Sequence, residues 1–208
     1  MVLDCDQPTQ AHARSGLNRH YCQRHVEHYR RHGSYSKRSY TAAELKGWRS
    51  GALRWLQANA ALPEVREAAA RVRTLYMRGG RPEDAFRLAG RSPEDRARNT
   101  WAWLRARQVD PLVPLAAWLA VSLRHREDPQ PERKVEYRWV QAGKLLHRMA
   151  GGAHKRWTRE GPGGTVRETV LHKYPASRGR VLRHLGEALA TAAKPLEQKA
   201  LSEITPAS

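Results

Sequence analysis

Apolar residues recur at helical spacing along most of this chain, and the breaks in that pattern mark its joints. In SYTAAEL, Thr41 stands three residues before Glu44, a pair able to satisfy free backbone N–H groups reciprocally, so a helix is predicted to start there and run through Trp48, Leu53, Trp55 and Leu56. Pro63 suits a first helical position; Val65, Ala69, Val72, Leu75 and Tyr76 then share a face, and Gly79 and Gly80 end the helix. A short helix is expected through Ala85, Phe86 and Leu88. Ser92 and Pro93, followed by acids in the first turn, start another in which Trp101 and Leu104 face inward. The run from Pro111 to Leu123 is apolar on every side but shorter than the roughly 18 residues of a membrane span, so it reads as a buried helix. After the break at DPQPERK, Val135, Trp139, Leu145, Leu146 and Met149 predict a helix ending at Gly151.

The period then changes. HKRWTREGPGGTVRETVLHKYP alternates about a Gly-Pro-Gly-Gly turn and contains Thr165, Val166, Thr169 and Val170, which predicts one exposed β-hairpin over about residues 154–174. A last helix from Ser177 turns Val181, Leu182, Leu185 and Leu189 inward, and the tail from Pro195 is expected to fray. The fold class is therefore mainly α: a small head over residues 1–40, a helical body over 41–194 carrying the hairpin, and a flexible tail over 195–208.

Charge narrows the function. The 208 residues carry 38 Lys and Arg against 20 Asp and Glu, a formal net charge of +18, and the field of such a chain favours a polyanionic partner, nucleic acid before all others. A membrane surface is a weaker expectation, because the basic residues are spread over many elements and do not line one amphipathic helix. MVLDCDQPTQ shows no basic region followed by an apolar one, so a cytoplasmic protein is expected, nucleoid-associated if bacterial. With two cysteines in a reducing compartment, metal binding or inert thiols are expected before a disulfide.

Those cysteines lie in the head, where HYCQRHVEHYRRHGSY packs four histidines and a cysteine into residues 20–35. Cys22 and His25 have the Cys-x2-His spacing that brings a thiolate and an imidazole to one zinc ion, and a structural site needs four ligands. Cys5 is the natural third and His12 the best fourth, with His20 as its competitor; His28 is an alternative to His25 with a less compact spacing. A head this small and poor in aliphatic residues can scarcely build a core alone, which favours a zinc-stabilised head over solvated histidines.

CQRHVEHYRRHGSY also resembles a short zinc-binding element of phage and bacterial proteins, some of them associated with HNH endonucleases, of the form C-x4-C-x9-C-x2-H-x4-R-R-H-G. Cys22, His25, Arg30, Arg31, His32 and Gly33 fall at matching positions. His12 stands where that element has its second cysteine, and Cys5 where it has its first, with two residues inserted. The resemblance covers residues 5–35 alone. It implies a zinc site and a protein of a phage, mobile element or bacterium that works on DNA.

A second constellation is purely electrostatic. From Arg133 to Arg183 thirteen Lys and Arg face Glu136, Glu160 and Glu168, so more than half of the net charge sits in about a quarter of the chain. Lys155, Arg156, Arg159, Arg167 and Lys173 flank the glycine-rich turn, with Trp157 available to stack on a base; Arg30, Arg31, Lys37 and Arg38 add basic residues beside the head. A solvated charged face is the competing explanation.

Catalysis is not expected. VLRHLGEAL lacks the partner residues of a tyrosine recombinase box, NRHYCQRH lacks the hairpin-plus-helix spacing of an HNH nuclease, and no phosphate-cradling glycine loop is present. The sequence thus predicts a non-enzymatic, zinc-containing nucleic-acid-binding protein, with DNA favoured over RNA. A nuclease or recombinase accessory is the first alternative, and a helical module binding another protein's acidic surface the second.

Overall fold

The computed structural model describes residues 5–10, 18–151, 155–162, 164–171 and 179–206. Their order is β1 (Thr9–Gln10), β2 (Asn18–Cys22), α1 (Gln23–His32), α2 (Ala42–Ala58), α3 (Pro63–Arg78), α4 (Pro93–Ala106), α5 (Leu112–Arg126), α6 (Val135–Gly151), β3 (Lys155–Glu160), β4 (Val166–Leu171) and α7 (Gly179–Glu203). A single 3-10 turn covers Ala85–Leu88. The protein is mainly α, as its periodicity predicts.

Local chemistry accounts for the helix starts. Thr41 and Glu44 form the reciprocal capping box of α2, with Glu44 N donating to Thr41 Oγ1 at 3.2 Å and Thr41 N to the Glu44 carboxylate at 2.7 Å. Ser92 Oγ accepts from Asp95 N at 3.0 Å and opens α4. In α5 every residue from Pro114 to Leu123 is buried, as befits a helix apolar on all sides. It packs on α2, α6 and α7, and α7 in turn lies against α3, α4, α5 and α6. Trp118, Leu119, Leu123, Leu182, Leu185 and Leu189 fill the centre of that packing. Where α6 crosses α7, a Cβ on Gly186 would stand 2.1 Å from the Trp139 carbonyl oxygen, so only glycine permits the approach. Among the described residues no helix is long and apolar enough to cross a membrane.

One expectation needs correction, and two features were not foreseen. The tail does not fray at Pro195: α7 continues to Glu203, with Leu196, Ala200 and Ile204 buried. Proline ordinarily ends a helix by removing a donor and crowding the preceding turn, but here apolar residues beyond it dock on the core, and Trp55 Nε1 donates to Glu203 at 2.9 Å. Val135, one of the apolar residues whose spacing predicts α6, is exposed, and α6 buries Tyr137 and Val140. The head also contains an unpredicted two-stranded hairpin, Thr9 pairing with Cys22 and Gln10 with Asn18, which feeds directly into α1.

The basic hairpin is present. Gly161 N donates to the Thr165 carbonyl at 2.8 Å to close its turn, and β3 and β4 pair in the register Lys155 with Leu171, Trp157 with Thr169 and Arg159 with Arg167. It is exposed as expected, Trp157 and Val166 retaining 40% and 65% of their free surface.

Candidate metal centre and basic surface

Strand β2 delivers Cys22 to the start of α1, where it is the N-cap with extended backbone (φ −71°, ψ 165°). His25 lies one turn along, so its Nδ1 comes to 3.2 Å from Cys22 Sγ. The β1–β2 pairing returns the chain to the same place and brings Cys5 Sγ to 3.7 Å from Cys22 Sγ. The three ligand atoms lie within 4.8 Å of one another, with Cys22 buried and the other two half-buried. Two thiols and an imidazole at that separation can hold a metal ion. The backbone N–H of His25, working against burial, and then the Cys5 thiol and the backbone N–H of Arg24 hold the Cys22 thiol below its ordinary range, as the start of a helix does for a thiolate.

Of the sequence-predicted ligands, Cys5, Cys22 and His25 converge. His12 lies outside the described residues, and His20, on β2 and exposed, is not in the cluster. His28 does not join the cluster in place of His25; its Nδ1 is 2.8 Å from the Ser34 carbonyl and its ring stacks on His32.

The head does not stand apart from the body. Gly33 ends α1 in the left-handed conformation (φ 77°), and a Cβ there would meet the backbone of Glu136 and Tyr137 at 2.8 Å. Tyr29 donates its phenol proton to Glu136, which Arg183 Nε also reaches at 2.8 Å. The other two nitrogens of Arg183 donate to the Tyr29 and Arg30 carbonyls at 3.1 and 3.2 Å, so one guanidinium satisfies carbonyls in the last turn of α1. Tyr21, Tyr35 and Tyr29 stack in series, and Lys134 lies over the rings of Tyr29 and Tyr35. Burial, then the Glu136 carboxylate, pushes Tyr29 up to about 12. Burial opposes the Glu136 charge, yet Tyr29 and Arg183 hold its carboxyl below the usual range. Sequence reasoning missed this cluster: Glu136 and Arg183 entered only the charge count, and nothing local links either of them to Tyr29, more than a hundred residues away.

The predicted phosphate contacts divide. Arg30 and Arg31 are exposed on α1, where basic residues also suit the helix's negative end. Lys37 is 2.7 Å from buried Asp128, which also accepts from Tyr40 at 2.9 Å, and Arg38 forms a two-pronged pair with Glu44 at 2.9 and 3.1 Å. Lys37 therefore ties the head to a buried acid of the body, whereas Arg38 makes an exposed pair beside the junction. Burial works against the Asp128 charge, but Lys37 and the Gln130 N–H keep its carboxyl below the ordinary range. In the ribbon, Lys155, Trp157, Arg159 and Arg167 occupy positions on one face, since paired residues and alternate residues share a side. Arg156 belongs to the opposite face, with Thr158, Glu160 and Glu168. Lys173 lies outside the described residues.

No family model, curated protein or solved structure matches this chain.

Proposed function

We propose that this chain is a zinc-braced, non-enzymatic nucleic-acid-binding protein, with duplex DNA its favoured ligand. The observation that carries the reading is the ribbon register, which collects three basic positions and an aromatic one on one face of an exposed hairpin. Cations beside a stacking ring suit a phosphate backbone with neighbouring bases, and a two-stranded ribbon can enter a DNA groove. Zinc suits a two-thiolate, one-imidazole cluster, with His12 as the fourth ligand. The preference for DNA, and a phage, mobile-element or bacterial source, rest on the resemblance of residues 5–35 to the zinc-binding element.

One observation favours a second reading. A hairpin running into a helix with three ligands at the junction is also compatible with a catalytic metal, whose fourth position stays open to water. The two readings differ over His12. The experiment is fluorescence anisotropy with labelled duplex DNA, single-stranded DNA and RNA across a salt series, with a parallel cleavage assay in Zn²⁺, Mg²⁺ or Mn²⁺. Binding near 150 mM salt that weakens steeply as salt rises, tightest on duplex and without cleavage, is the expected result. Cleavage abolished by His25→Ala would favour the catalytic reading, and no binding to any nucleic acid would leave an acidic protein surface as the partner.

A further inference from the structure

Where α1 meets α6, several cations gather, with no acid among them in the described residues. Lys144, half-buried on α6, donates from Nζ to Ser39 Oγ and lies 3.1 Å from His32 Nδ1; Ser39 Oγ is 2.8 Å from the same nitrogen. A nitrogen approached by an ammonium and a hydroxyl is an acceptor, so the His32 ring is neutral with its proton on Nε2. Burial, then the charges of Lys144, His28 and Arg31, holds His32 at about 4, and burial and Arg148 hold Lys144 at about 8. The acids of the adjoining segments are engaged elsewhere: Glu136 with Tyr29 and Arg183, Glu44 with Arg38 and Thr41, Asp128 with Lys37 and Tyr40.

A half-buried ammonium is costly without a counter-charge. Two of its three N–H groups are directed at Ser39 and His32, and among the described residues the third meets no acceptor. The hydroxyl can turn to a new acceptor, while the neutral His32 ring lies beside the ammonium without adding charge. We propose that Lys144, Ser39 and His32 form a notch that binds a phosphate group, with Arg31 and Arg148 at its rim. The ligand chemistry is a tetrahedral oxyanion. Its source as a backbone phosphodiester rests on the nucleic-acid reading above, whereas free phosphate would use the same donors.

A bound phosphate also offsets the positive charges around His32 and so raises its pKa. The groups facing that ring are His28 and Arg31 from α1, and Lys144 from α6 with Arg148 one turn beyond. The test uses the full-length, metal-loaded protein at constant ionic strength. Inorganic phosphate is titrated against chloride while the His32 ring, assigned with His32→Asn, is followed by NMR. Phosphate should shift the ring saturably and raise its pKa by about one unit. Lys144→Met should weaken binding at least tenfold, and Ser39→Ala, the milder variant should the first fail to fold, should weaken it several-fold. A shift no larger than that of chloride, or one that neither variant weakens, overturns the notch. In a second arm, Lys144→Met should lower the log–log salt slope on a short duplex by about 0.9. Saturable phosphate binding without duplex binding would keep the notch and reject the nucleic-acid reading. Duplex binding with an unchanged slope and no phosphate shift would do the reverse.

Discussion

Replacing Cys22 with serine should remove the metal and loosen β1, β2 and the first turn of α1, while α2 to α7 stay folded. Cys22 ends β2, caps α1 and stands between the other two ligands, so its loss breaks the one point where Cys5 and His25 meet. Losing even an outer-shell partner costs 10–100-fold in metal affinity, and losing a thiolate ligand should exceed that. Because metal binding is coupled to folding of a segment that buries little apolar surface, strand pairing should be lost with the ion. Hydrogen exchange reads this directly: amides of residues 18–25 should lose protection in Cys22→Ser or after chelation, and those of α5 and α7 should not. His28→Ala is the control, since that ring bonds to Ser34 and not to the cluster. Protection in the head that survives both chelation and Cys22→Ser would show that packing alone holds it.

The second large effect separates the two faces of the basic ribbon. Replacing Lys155, Arg159 and Arg167 with alanine removes three basic positions from the Trp157 face, so the log–log salt slope on duplex DNA should fall by about 2.7, at about 0.9 per phosphate contact. Arg156→Ala, on the opposite face, should leave the slope nearly unchanged. Trp157→Ala should cost about 5–150-fold in affinity where the indole stacks on a base, since such contacts are worth about 1–3 kcal/mol. The matched control replaces three exposed arginines of α2 and α3, Arg54, Arg66 and Arg73. Equal losses in the control and ribbon triples would make the charge a general steering field with no privileged face.

What the sequence conveys here depends on how far apart the interacting residues are. Thr41 with Glu44, Pro63, and Ser92 with Pro93 mark helix starts over three or four residues, and each is found where it was expected. Cys22 and His25 are equally local, one helical turn apart. Cys5 reaches them only through a strand pairing too short to leave a periodic signature, two residues on β1. The tail was misread because the local rule for Pro195 is sound but weaker than the burial of Leu196, Ala200 and Ile204 on a core assembled from distant helices. Lys37 and Arg38 look like free cations in sequence because Asp128 is 91 positions from Lys37 and the Glu44 cap does not advertise a second role. The docking of α1 through Glu136 and Arg183, and the notch at Lys144, lie beyond any spacing argument for the same reason.

The metal content of the purified chain tests the central claim most directly. Native mass spectrometry of protein prepared without chelator should find one zinc ion per chain, lost in Cys5→Ser, Cys22→Ser and His25→Ala, and reduced in His12→Ala but not in His20→Ala. A wild-type content below about half an ion per chain, against the full occupancy of a four-ligand structural site, would contradict it.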